Sequence, residues 1–121
     1  MSPVHRRLAA DLLSFDLEAE MRTVRAELAG GHTRIARTLV KEGPLRLTLV
    51  GLAAGGVLRS HRTDSPVTIH VLDGEITLEV DGAARAMRAG ELAALEAGVP
   101  HGAASAGGAM ILLTVAASRA E

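Results

Sequence analysis

Residues 67–82, VTIHVLDGEITLEVDG, decide the fold. Every second position is apolar on either side of Asp73-Gly74, with Val67, Ile69 and Val71 before this pair and Ile76, Leu78 and Val80 after it. Alternation with a period of two is typical of strands that bury one face. Asp-Gly pairs favour two-residue hairpin turns. The stretch therefore predicts two strands joined by a hairpin at Asp73-Gly74, and a further hairpin at Asp81-Gly82.

The same alternation continues through the chain after Gly31. Short strands are predicted at residues 38–41, 45–49, 84–88, 91–95, 101–105 and 110–116, with turns at residues 43–44, 53–56, 89–90 and 98–100. Many short strands with regularly spaced turns are typical of an all-β sandwich or barrel. Closure of the sheet is favoured because open strand edges promote aggregation. We therefore expect a mainly β protein in which residues 32–121 form one barrel domain.

The N-terminal segment, residues 1–31, carries a helical pattern instead. Apolar residues recur at helical spacing in two stripes, Leu8, Leu12 and Phe15 in the first and Leu17, Met21, Val24 and Leu28 in the second. The two stripes are out of phase, so the pattern predicts two short helices or one kinked helix, with a restart at residues 14–16. Gly30-Gly31 is predicted to end the helical segment.

The composition limits the function classes. The chain has 121 residues, the length of a single domain, with one Phe and no Tyr, Trp or Cys. The lack of Cys excludes disulfides, thiolate metal ligands and a Cys nucleophile. A formal net charge of -1 argues against a nucleic-acid partner, because nucleic-acid-binding proteins are normally basic. No apolar run is long enough for a membrane span, and we expect a soluble, cytoplasmic protein without a membrane partner.

Histidines are the residues of this chain that are best suited to chemistry, because imidazoles bind metals and transfer protons. His5 falls in the helical segment and His32 lies beside a Gly-Gly turn, so both are predicted on the surface. His61, His70 and His101 lie in the β region. These three are the candidate site residues.

Two glycine–histidine patterns in the β region resemble the paired motifs of the cupin superfamily. Gly55 is followed after five residues by His61, and Gly74 closes that pattern. Gly90 is followed by Gly98 and, after two further residues, by His101. The family patterns are G-x5-H-x-H-x3-4-E-x6-G and G-x5-P-x-G-x2-H-x3-N. The resemblance covers roughly residues 39 to 116 and implies a double-stranded β-helix, or jelly-roll barrel, that is usually a homodimer.

The chain departs from these motifs at the positions that hold a metal in the family. Thr63 stands where the second histidine belongs, and Val67 stands near where the glutamate belongs. Glu96 and Ser105 replace the proline and the asparagine of the second motif. The resemblance thus implies a pocket at His61, Thr63, Val67 and His101, with only His61 and His101 left as ligands for a divalent zinc, iron, nickel or manganese ion. Catalytic metal sites normally have three protein ligands, so we expect that no metal is tightly bound.

His70 is the alternative third metal ligand. Its side chain would have to be turned inward by a β-bulge. Plain alternation instead places His70 on the outer face of its strand with Thr68 and Leu72, exposed or at a dimer contact. Asp64 and Glu96 are two further ligands that a loop distortion would have to bring inward.

Three functions remain open from the sequence. The first is a small-molecule-binding barrel with an incomplete metal site. The second is a metal-dependent enzyme, such as a dioxygenase or an isomerase, that uses His61 and His101 as ligands or as an acid–base pair. The third is a structural or regulatory dimerisation module. The sequence assigns no catalytic residue and no substrate, because one fold hosts many chemistries.

Overall fold

The protein is described here by a computed structural model of residues 12–117. One helix, α1 (Leu17–Ala29), is followed by eight strands: β1 (Arg34–Glu42), β2 (Leu45–Leu52), β3 (Gly56–His61), β4 (Val67–Val80), β5 (Ala83–Arg88), β6 (Leu92–Leu95), β7 (His101–Ser105) and β8 (Ala109–Ala116). The predicted mainly β class with an N-terminal helix is confirmed. Within residues 12–117, no helix is both long enough and apolar enough to cross a membrane.

Helix α1 begins where the sequence predicts a restart. Asp16 is the N-cap, and its side chain accepts a hydrogen bond from the Ala19 amide at 3.2 Å. Capping of this kind satisfies one of the free amides of the first turn. Residues 12–16 are not helical, and residues 1–11, where the first predicted stripe and His5 lie, are outside the described residues. The observed helix therefore corresponds to the second predicted stripe.

Strand β4 organises the barrel. The sheet order is β1-β2-β8-β4-β7-β3, and all pairs are antiparallel. The first half of β4 pairs with β8 and β6, and the second half pairs with β7 and β5. The change of partners falls between Gly74, the last residue paired with β8, and Glu75, the first residue paired with β5.

The predicted hairpin at Asp73-Gly74 is wrong, because β4 runs through it as one strand. Val71 pairs with Ile111 and Asp73 pairs with Met110, so an extra residue is inserted here as a β-bulge. Because the bulge adds one residue, the apolar residues fall at odd positions before it and at even positions after it. The same pattern would arise from two separate strands joined by a turn. Gly74 has a φ of 79° and no space for a side chain, since a Cβ atom would collide with the Gly108 carbonyl oxygen.

The hairpin predicted at Asp81-Gly82 is confirmed. Val80 pairs with Ala83, and both loop residues have positive φ angles, 50° for Asp81 and 87° for Gly82. These angles belong to the mirror-image turns that match the twist of paired strands. The turn fixes the register of β5 on the second half of β4.

Two apolar clusters lie on opposite faces of the part of the sheet formed by β1, β2, β8 and the first half of β4. The barrel cluster fills the interior with buried residues Val50, Leu52, Val67, Ile69, Val71, Ile76, Leu78, Met87, Leu95, Ala103, Ala109 and Ile111. The helix cluster lies under α1 and contains Met21, Val24, Leu39, Val40, Leu49 and Met110. Strand β2 contributes residues to both clusters, so both of its faces are buried. The alternating sequence pattern predicts only one buried face for this strand.

An ion pair fixes α1 on β1. The Arg37 Nε atom donates to the Glu20 carboxylate at 2.7 Å, and the two side chains are only 10% and 12% exposed. A second pair, Arg25 with Asp73 at 2.9 Å, lies in solvent with side chains 43% and 59% exposed. Shielded pairs interact more strongly than exposed ones, so the Arg37 pair contributes more to helix placement.

Candidate functional site

A β-bulge in β3 determines which way His61 points. Leu58 pairs with Ala103 and His61 pairs with His101, so Arg59 and Ser60 together oppose Gly102. Leu58 packs against the barrel cluster. Simple alternation from Leu58 would turn His61 outward. The additional residue of the bulge reverses the alternation and places His61 on the inner face, opposite His101.

The two imidazoles form a pair at one end of the barrel. Their ring centroids are 4.5 Å apart and the ring planes are inclined by 58°. His101 is buried, with 6% of its surface accessible, whereas His61 is exposed. Residues directly opposite each other on antiparallel strands share a face, which explains the contact. The pair therefore extends from the barrel interior, where His101 lies, to the solvent, which His61 contacts.

Backbone carbonyl groups fix the tautomer of both rings. The Nδ1 atom of His61 lies 3.1 Å from the Arg59 carbonyl oxygen, and that of His101 lies 3.0 Å from the Val99 carbonyl oxygen. A carbonyl oxygen only accepts, so each Nδ1 atom carries the proton and donates it. In the neutral rings, both Nε2 atoms then keep a lone pair. Neither Nε2 atom has a hydrogen-bond partner within residues 12–117.

Thr63 and Val67 lie at the same end of the barrel as the histidine pair. The Thr63 hydroxyl donates to the Ser65 carbonyl oxygen at 2.7 Å, and the Thr63 carbonyl oxygen accepts from the Gly98 amide at 2.8 Å. Thr63 thus joins the β3–β4 loop to the turn before His101. Val67 is 4% exposed within the barrel cluster. It offers a hydrocarbon surface where the family motif has a carboxylate.

The surroundings of the pair are aliphatic. Val80 lies directly opposite His101 on β4, and Val67 pairs with both Leu95 and Val115. Val80, Val99 and Val115 are partly buried against the barrel cluster. Sequence alternation identifies Val80 as an inner residue, but Val99 lies in a turn where no periodicity applies. A few polar atoms on an apolar wall are typical of small-molecule sites.

The donor atoms at this end do not fit a catalytic metal centre. No group of three or more His, Asp or Glu side chains within residues 12–117 could hold a metal ion. Two imidazole nitrogens remain, one hydroxyl is engaged in the loop, and the carboxylate position is Val67. Zinc and non-haem iron centres use at least three protein ligands.

His70 does not supply the missing ligand. The bulge of β4 lies at residues 72–73, after His70, so it cannot turn this side chain inward. His70 pairs with Leu92 and Leu112, on the outer face of the sheet, and is half-buried there. The outer-face alternative is the correct one, because Val67, Ile69 and Val71 occupy the inner positions.

The comparisons with known proteins agree with this architecture. A family model for the cupin domain matches residues 39–116. An RmlC-like cupin from Shewanella frigidimarina superposes with a TM-score of 0.68 at 22% identity, covering 74% of this chain and 80% of that one. No curated protein sequence matches the chain significantly.

Two further solved structures show how widely the fold is shared. A cupin 2 conserved barrel domain protein from Leptotrichia buccalis has a TM-score of 0.66 at 28% identity, over 71% of this chain and 42% of that one. Salicylate 1,2-dioxygenase from Pseudoaminobacter salicylatoxidans, in a structure with gentisate, has a TM-score of 0.74 at 14% identity, over 84% of this chain and 32% of that one. At that identity the likeness concerns the fold alone. Because the family model covers well over half of the chain, the chain belongs to the cupin family.

Proposed function

We propose that this cupin binds a small organic molecule at the barrel end marked by His61 and His101. The observation that carries the proposal is the pair of imidazoles, 4.5 Å apart, whose Nδ1 atoms are both held by backbone carbonyls. Holding one nitrogen of each ring orients the other nitrogen before any ligand arrives. Such preorganisation lowers the entropic cost of binding.

The chemistry of the site indicates the kind of ligand. In the neutral pair, each Nε2 atom accepts a hydrogen bond, so the ligand should carry a hydroxyl or N–H donor. The valines around the pair favour an apolar body. Val67 brings no charge to the site, so a neutral ligand meets no unpaired carboxylate there. A small aromatic or alicyclic alcohol, phenol or amide meets these requirements.

Binding of simple probes tests this proposal. We would titrate isotope-labelled protein with benzyl alcohol, phenol and benzamide, and with toluene as the matched probe that lacks a donor. We expect amide chemical-shift changes at residues 61–63 and 99–101. We also expect toluene to bind at least tenfold more weakly, since tenfold corresponds to about 1.4 kcal/mol, the size of one hydrogen bond.

Histidine variants supply the control. His101→Ala and His61→Ala should each weaken benzyl alcohol binding about tenfold, whereas His32→Ala, at an exposed residue outside the barrel, should leave it unchanged. Equal affinity for benzyl alcohol and toluene, or equal affinity of His101→Ala and the unaltered protein, would show that the pair does not bind the ligand.

Proton transfer is the second candidate function. A neutral imidazole with a fixed tautomer and a free Nε2 lone pair is the form that acts as a general base. The same ring orientation that favours binding thus suits an enzyme that removes a proton from the bound molecule. Exchange of carbon-bound hydrogen distinguishes the two, measured in D2O by mass spectrometry on α-hydroxyacetophenone, a probe that has both a hydroxyl donor and an acidic C–H bond. Exchange that is lost in His101→Ala supports an enzyme, and an unlabelled probe supports a binding protein.

A further inference from the structure

A groove of about 260 Å³ crosses the outer face of β3, β7 and β4, on the far side of the sheet from the histidine pair. Its lining includes Val57 and Arg59 on β3, Gly102 and Ala104 on β7, and Thr77 and Glu79 on β4. We call it the β3 groove. Gly102 and Ala104 lie on the middle strand, β7, and neither has a side chain larger than a methyl group. The groove is therefore deepest over β7 and has its walls on the two neighbouring strands.

The bulge of β3 shapes one wall of this groove. Arg59 and Ser60 share a single partner position, Gly102, so their backbone rises out of the regular ladder. Gly102 is required beneath them. A Cβ atom there would lie 2.9 Å from the Leu58 carbonyl oxygen and 3.0 Å from the Ser60 nitrogen. The same bulge thus turns His61 inward and builds the outer groove.

The two walls carry opposite charges that do not meet. Arg59 lies on β3 and Glu79 on β4, which are two strand spacings apart, or about 10 Å. Both residues are exposed, and neither forms an ion pair with another residue of the described range. Val57, 52% exposed, adds an apolar surface beside them. The groove thus presents a cation and an anion across an uncharged floor.

We propose that the β3 groove binds a small zwitterion, such as a free amino acid or a dipeptide. The ligand's carboxylate would lie on the Arg59 guanidinium, whose planar group pairs with carboxylates through two hydrogen bonds. Its ammonium group would lie on the Glu79 carboxylate. The proposed site is distinct from the barrel end, because Arg59 and Glu79 face outward and the histidine pair faces inward.

The groove also contacts the barrel end through one hydrogen bond. The His61 Nδ1 atom donates to the carbonyl oxygen of Arg59, the residue whose side chain forms the groove wall. A zwitterion bound to the Arg59 side chain would lie close to this hydrogen bond. The His61 ring therefore serves as a reporter of groove occupancy.

Glycylglycine is the probe that tests the proposal. Titration into isotope-labelled protein should shift the amides of residues 57–60, 77–79 and 102–104, and the His61 ring signals with them. N-acetylglycine lacks the ammonium group and glycinamide lacks the carboxylate. Each should bind at least fivefold more weakly than glycylglycine, because each can satisfy only one wall.

Charge variants decide the outcome. Arg59→Gln and Glu79→Gln should each weaken glycylglycine binding at least fivefold. Arg88→Gln and Glu75→Gln are the matched controls, because they remove the same charges from exposed sites beside a second cavity of about 570 Å³, which shares only Thr77 with the groove lining. The double swap Arg59→Glu with Glu79→Arg should restore binding, since a zwitterion can bind in the reverse direction.

Three results would overturn the proposal: no shifts at millimolar glycylglycine, equal binding of the three probes, or equal losses in the Arg59 and Arg88 variants. His101→Ala keeps the groove intact, so its glycylglycine affinity should not change. Failure of glycylglycine to bind therefore leaves the barrel-end proposal standing, and failure of benzyl alcohol to bind leaves the groove proposal standing.

Discussion

Helix α1 lies so close to β2 that a single methyl group at Gly51 should separate them. A Cβ atom on Gly51 would collide with the Val24 Cγ1 atom and would lie 3.0 Å from the Leu28 Cδ1 atom and 3.2 Å from the Met110 Cε atom. Val24 is fully buried. The Val24 side chain is short and stiff, so relief requires movement of the helix itself.

The size of the effect follows from these contacts. Gly51→Ala forces overpacking, which costs about 1–3 kcal/mol, partly offset by about 0.5–1 kcal/mol because alanine is better than glycine in a strand. Val24→Ala removes two buried methyl groups, at about 0.8 kcal/mol each plus a cavity contribution, or about 2–3 kcal/mol in all. In the double variant the new methyl group occupies the space that Val24 vacates. We therefore expect the double variant to lose less stability than the two single losses together, by about 1–2 kcal/mol.

Urea unfolding followed by far-ultraviolet circular dichroism measures the four stabilities of this cycle. The matched control is Gly107→Ala, at an exposed glycine where a Cβ atom meets nothing within 4 Å. It should not couple to Val24→Ala. If the Gly51 and Val24 losses add within about 0.5 kcal/mol, the helix is not held against β2 as described.

Three further predictions concern the helix and the site. Glu20→Ala should lower the free energy of unfolding in urea by about 3 kcal/mol, because it leaves Arg37 buried without this partner. Asp73→Ala, which breaks the exposed pair, should lower it by less than about 1 kcal/mol. Equal losses in the two variants would contradict the role of burial. Asp16→Ala should cost about 1 kcal/mol and Asp16→Asn much less, as measured by thermal unfolding, and no difference between them would argue against the cap. The double variant Thr63→His with Val67→Glu restores the ligand types of the family motif. It should bind nickel at least tenfold more tightly than the unaltered protein in calorimetric titration. Unchanged affinity would mean that these two positions do not face His61 and His101.

The sequence predicted most strands well, because their alternation reflects burial of one face. Strand β7 begins and ends where residues 101–105 predict it, and the Asp81-Gly82 turn is correct. Strand β1 is longer than its predicted core at residues 38–41, since its first residues pair with the end of β2. The homodimer implied by the family resemblance stays a prediction, which light scattering of the purified protein tests.

The placement of the candidate site residues was harder to predict, because it depends on residues that interrupt the alternation. At Asp73-Gly74 the sequence carries a strong turn signal, and only the strand partner reveals that the chain continues as one strand. The structure explains this by the close approach of the Gly108 carbonyl oxygen to Gly74. A turn signal and a glycine that permits close backbone contact look the same in the sequence.

The bulges of β3 and β4 therefore determine which of the candidate histidines face the interior. The bulge of β4 follows His70, so it leaves this histidine outside and turns Ile76 inward. The bulge of β3 precedes His61, so it turns this histidine inward, opposite His101. Each bulge changes the face of every residue after it and of none before it. Whether a histidine faces inward or outward thus depends on whether the bulge comes before or after it in its strand. This order places His61 beside His101 in the interior and His70 on the outer face. The extra residue at Arg59-Ser60 thus serves both proposed sites, since it aligns the imidazoles inside and raises the groove wall outside.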